Sequence, residues 1–223
     1  MVPVLGTVEK EKQQDCLLKY LMVRLAAILM KLKPSCLLCL CNCEKSGGGD
    51  YYDLWKEQKA GIARKLKISF KELKDTFWGK QVLFYNPEVL FKTVTQPENH
   101  TFLKKFGYSS CKSIEDYLDT LKKRFCTFDK SDPLFPHEMG IFLGYPLKDV
   151  KGFIEKGTLP LTATGRWQVF GAPEESKRLM RMRNKAEKVF LNLIKNGRNP
   201  VSYIEQVSTH FKKAKDVAAI RVF

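Results

Sequence analysis

Three groups of residues have the types and the spacing that chemistry needs. Cys36, Cys39, Cys41 and Cys43 fall within eight residues as C-x2-C-x-C-x-C. Thiolates that dense could share a metal, but structural zinc takes two separated Cys pairs so that four sulfurs surround the ion tetrahedrally. Ferredoxin-type iron–sulfur runs use other intervals again. Cys36 and Cys39 read as small apolar residues that extend a buried segment with Leu37, Leu38 and Leu40, since free cysteine is among the most buried residue types. Cys41 and Cys43, in a looser polar stretch, are the better candidates for a soft metal such as copper(I) or for redox reactivity.

The second group is Phe135-Pro136-His137-Glu138 followed by Leu143-Gly144-Tyr145-Pro146. His137 and Glu138 would stand in the first turn of a helix, where the dipole favours a carboxylate and lowers the pKa of an imidazole. That makes a general acid/base or ligand pair, with Tyr145 and Trp167 as neighbours able to line a ligand site. A zincin site is excluded, because Ile141 stands where H-E-x-x-H needs its second His. The competing reading is structural: Glu138 satisfies free backbone N–H groups and His137 bonds to an adjacent segment. The third group is basic. From Ala172 to Phe223 there are twelve Lys or Arg against five Asp or Glu, and Arg181, Arg183 and Lys185 could grip the phosphates of a nucleic acid. The alternative is a solvated face opposite Leu179, Met182, Ala186, Val189, Phe190 and Leu193.

Elements must position these groups, and the composition allows it. A chain of 223 residues fits one ordinary domain, and 44% hydrophobic residues with 15 Phe, 8 Tyr and 3 Trp argue against disorder. The net charge of +15 favours anionic partners: nucleic acid, acidic lipid or an anionic metabolite. Leu17 to Leu32 is interrupted by Lys19, Arg24 and Lys31 and is no membrane span. Mixed charges ahead of it and Lys33-Pro34 behind it do not make a secretory signal, so the expected compartment is the cytoplasm. Seven cysteines, an odd number, then read as reduced thiols or metal ligands rather than a disulfide framework. Phosphate-loop, dinucleotide, serine-hydrolase and kinase signatures are missing from the sequence, and no cofactor is identified.

The periodicity predicts helices over Cys16–Leu32, Tyr51–Leu66, Asn99–Phe106, Ser113–Phe125 and Glu174–Lys195, with a final amphipathic segment from Val201 to Phe211. Ser113 and Asp116 make a capping-box start. Pro136 with Gly144, then Pro146 with Gly157, punctuate two short helices in tandem. Ile68–Leu73 and Gln81–Tyr85 read as a hairpin, and Arg166–Phe170 as a later strand. The expected architecture is α+β, mostly helical, with a small antiparallel three-stranded sheet made of the hairpin plus that later strand. The domain is expected over residues 15–197, between an extension at 1–14 and a basic amphipathic one at 198–223.

The P-H-E and L-G-Y-P motifs at 136–138 and 143–146 resemble the two hallmarks of an uncharacterised bacterial family, domain of unknown function 3793. Pro146 to Ile154 is similar to the stretch that follows them, and Gly165-Arg166-Trp167-Gln168-Val169-Phe170-Gly171 to a G-Y-W-K-V-Y-G strand. The resemblance extends from residue 15 to about 197. It implies cytoplasmic proteins of mostly anaerobic Gram-positive bacteria, with no established activity. The functional expectation is a binding protein for a small anionic ligand, a metal or a redox cofactor beside the motif helices. The alternatives are a nucleic-acid-associated or regulatory protein acting through the basic helix, and an enzyme with His137 as general acid or base.

Overall fold

The computed structural model describes residues 5–41, 51–77, 79–127, 135–198, 200, 202–203 and 205–206. Cys43 and most of the expected segment from Val201 to Phe211 lie outside the described residues. The elements run α1 (Leu5–Arg24), α2 (Ala26–Leu29), β1 (Ser35–Cys41), α3 (Tyr51–Leu66), β2 (Ser69–Thr76), β3 (Gly79–Tyr85), α4 (Pro87–Val94), α5 (Pro97–Lys104) and α6 (Ile114–Thr127). They continue with α7 (Met139–Phe142), α8 (Leu147–Ile154), β4 (Leu161–Thr164), β5 (Gln168–Phe170) and α9 (Glu174–Lys195). The class is α+β, as the patterning implies. No described helix is long and apolar enough to cross a membrane.

The main sheet is antiparallel and three-stranded, in the order β1-β3-β2. Its third strand comes from the cysteine-rich stretch upstream of the hairpin. The later strand pairs instead with β4 in a separate ribbon, Thr164 opposite Gln168 and Leu161 opposite Phe170. The reason lies in how the sheet is covered. One core holds Leu38, Leu40, Val82 and Phe84 together with Trp55 of α3, Leu17, Leu21 and Leu25 from the first helices, and Ala186 and Phe190 of α9. The other takes Leu83 and Tyr85 with Leu90, Phe102, Tyr108, Leu118, Ile141 and Phe142, and Leu37 packs against it. A strand with apolar contacts on both faces shows no clean alternation, so Ser-Cys-Leu-Leu-Cys-Leu-Cys hides its period of two.

Local chemistry sets the boundaries that position the site. Asp116 Oδ2 accepts from Ser113 N at 2.8 Å and Ser113 Oγ from Asp116 N at 3.2 Å, the reciprocal capping box before α6. Asn86 Oδ1 accepts from Val89 N at 3.0 Å at the head of α4. The first helix starts at Leu5, inside the expected extension, and breaks at Leu25 before α2. Tyr203, past the expected domain limit, meets the Phe190 ring edge-on at 6.3 Å.

Candidate functional site

The turn between α7 and α8 is a helix stop with a left-handed residue. Gly144 has φ +67°, and Tyr145 N donates back to Gly140 O at 2.9 Å, the long bond of a Schellman cap. A side chain could not replace this glycine, because its Cβ would stand 2.5 Å from Pro34 Cδ and 3.1 Å from Arg183 Nη2. The turn therefore seats tightly on the residue just before β1 and on α9.

Past the turn, Asp149 lies in the first turn of α8 and is buried. Its carboxylate accepts from Trp167 Nε1 at 2.8 Å, Phe170 N at 2.9 Å, Ser176 Oγ at 2.5 Å and Lys148 Nζ at 2.7 Å. Burial pushes the Asp149 carboxyl upward, but the bonds from Lys148, Ser176, Phe170 and Trp167 overcome it and hold the group below the usual carboxylate range. One side chain thus ties α8, the β5 strand and α9 together and fixes the Trp167 indole. That indole stacks on the Tyr145 ring, centroids 4.5 Å apart and planes 18° from parallel. The two residues expected to line a ligand site do come together.

Beside this stack lies Arg183, only 3% exposed. Its guanidinium carbon sits 5.2 Å from the Trp167 ring centre and 6.0 Å from that of Tyr145. Nη2 donates to Gly144 O at 2.5 Å, while Nε and Nη1 are buried without a hydrogen-bond partner. Burial lowers this guanidinium to about 10, and Arg166 nearby presses in the same direction. Lys33 is lowered too, first by burial and then by the charges of Arg183 and Arg166. Arg166 alone of the three has a carboxylate, holding Glu187 with two nitrogens at 2.8 and 2.5 Å and Asn184 Oδ1 at 2.6 Å. The result is a concentration of positive charge against an aromatic pair.

The other expected groups lie elsewhere. Glu138, the N-cap residue of α7, is fully buried, ion-paired with Arg124 and accepting from the Tyr108 hydroxyl at 3.2 Å. That is a tie between α7 and α6. His137 is half-buried between the rings of Phe135 and Phe153, centroids 5.1 and 4.8 Å away, and burial lowers its pKa. Arg181 and Lys185 are exposed on α9, as a solvated face requires, whereas Arg183 has turned inward. The spacing carried that signal: Arg183 precedes Ala186 by three residues and Phe190 by seven, which puts it on the apolar stripe. Asp149 gave no such sign, since an acidic residue early in a helix reads as a dipole partner.

On β1, Cys39 and Cys41 share a face, with their sulfurs 3.5 Å apart. Burial and the neighbouring Cys41 push the Cys39 thiol up to about 11. Among the described residues, no three His, Cys, Asp or Glu side chains are grouped to hold a metal ion.

In comparison with known proteins, the model of the family described as "Protein of unknown function (DUF3793)" matches residues 21–204. No curated protein and no solved structure matches the chain.

Proposed function

Because the chain belongs to the DUF3793 family, which is described as of unknown function, we propose a role from the site itself: the protein binds a small anion through Arg183. The observation that carries this reading is a buried guanidinium with two unpartnered N–H groups. An arginine stays charged in any protein, and leaving its charge buried and uncompensated costs several kcal/mol. A carboxylate or phosphate group supplies the missing charge and accepts a charge-assisted hydrogen bond from one of these nitrogens. Lys33 and Arg166 add attraction, and the Tyr145–Trp167 stack forms a rigid apolar wall. A small anion ranks above a nucleic acid because the turning-in of Arg183 thins the outer basic face of α9. The six described cysteines are free thiols, which suits a reducing compartment such as the cytoplasm.

The test is thermal unfolding in inorganic phosphate and in acetate against chloride at matched ionic strength. A bound anion raises Tm with concentration, by about 2.7 kcal/mol of stability at a hundredfold excess over Kd. Arg183→Met removes the buried charge while filling its space. The expected result is loss of the anion response with an unchanged or higher Tm in chloride. A variant that responds like the native chain, or a native chain that does not tell phosphate and acetate from chloride, overturns the proposal.

A further inference from the structure

The cysteine pair on β1 is independent of Arg183. Cys39 and Cys41 are two residues apart on an extended strand, so both thiols leave the same face, whereas Cys36 points to the other. Their sulfurs approach to 3.5 Å. Two further observations mark the spot as shaped. Directly opposite Cys41 in the register stands Gly79, where a Cβ would fall 2.4 Å from Leu40 O and 2.8 Å from the Cys41 Cα. Directly opposite Cys39 stands Gln81, whose Oε1 is buried without a hydrogen-bond partner. The core on this face takes in Leu37 and Leu83 but neither cysteine, and Cys39 is exposed.

The strand backbone decides what such a pair can do. Residues two apart along a strand are separated by about 6.6 Å, and their parallel Cβ atoms by a similar distance. A disulfide needs Cβ atoms about 3.5–4.5 Å apart, so closing one would buckle β1 against β3. A soft ion held between two sulfurs asks for no such approach of the backbone. Thiolate ligands suit copper(I), zinc and iron–sulfur clusters; zinc asks for four ligands, whereas the low coordination number of copper(I) is met by two sulfurs.

We infer that Cys39 and Cys41 form a copper(I) site, in which each thiol gives its proton to solvent and both sulfurs bind one ion delivered in the monovalent state. No electron is transferred: Cu⁺ and two thiols become a bis-thiolate complex of charge −1 and two protons. The site is open at Cys39, which permits exchange of the ion with a donor or acceptor molecule.

The experiment is an anaerobic titration of the reduced full-length chain with copper(I) in acetonitrile, in competition with a chromophoric copper(I) chelator. The expected result is one ion withdrawn from the chelator per chain, with a tenfold or greater loss of competition in Cys39→Ser and in Cys41→Ser but not in Cys36→Ser. A second measurement uses the native chain alone, so that folding of the variants does not matter. Alkylation with iodoacetamide, read by tandem mass spectrometry, should spare Cys39 and Cys41 when copper(I) is present and label both when it is absent. A chain that cannot compete with the chelator, serine variants that compete as well as the native protein, or equal alkylation with and without the ion would each overturn the assignment.

Discussion

Asp149 shows how much of this site rests on one side chain. Its folded pKa lies below the unfolded value, so the stability it contributes is full above the ordinary carboxylate range and is lost as pH falls through that range toward the lower folded value. Asp149→Asn should cost about 3–5 kcal/mol at neutral pH, because an amide nitrogen would face donors and Lys148 would lose its counter-charge. It should also flatten the acid limb of the stability curve, read by urea denaturation between neutral pH and the acid transition. A cost below 1 kcal/mol would mean that Asp149 does not hold the Trp167 wall. At this scale the sequence was half legible. Tyr145 and Trp167 stood in motifs and met as expected, and Arg183 stood on an apolar stripe. The Asp149 donors Trp167, Phe170 and Ser176 lie 18, 21 and 27 residues further on, beyond the reach of any local pattern.

Among elements, the turn between α7 and α8 connects Arg183 to the residue that leads into the sheet. Gly144→Ala would require a left-handed alanine and push a methyl into Pro34, at a cost of about 1–3 kcal/mol. Because the same residue's carbonyl holds Arg183, the variant should also lose the phosphate-dependent rise in Tm. Retention of that response at reduced stability would separate the turn from the binding site. Helices with clear caps and stops were legible from their ends: α3 and α9 begin and finish where the pattern puts them. β1 was not legible, since apolar contacts on both faces erase the alternation that marks a half-buried strand. The hairpin strands also run closer to their turn than expected, to Thr76 and from Gly79, with Thr76 Oγ1 donating to Gly79 O at 2.8 Å.

At the scale of the whole molecule, a net charge of +15 makes the compact state repel itself. Raising sodium chloride should screen this and raise Tm; each kcal/mol gained moves Tm by about 2–4 °C at this size. A Tm that is flat or falls with chloride would mean that local ion pairs such as Arg166 with Glu187 already balance the repulsion. The two cores also differ in how far along the chain they draw their residues. The buried residues of the one containing Leu83 and Tyr85 run from Leu73 to Val150, whereas the one containing Trp55 needs Leu17 and Leu21 at one extreme and Ala186 and Phe190 at the other. As a ribosome releases the chain from its N-terminal end, the core containing Leu83 and Tyr85 can close while α9 is still unmade, and the face of α1 and α2 that α9 will cover stays open to water until then. For that interval of synthesis the protein depends on whatever shields a nascent chain.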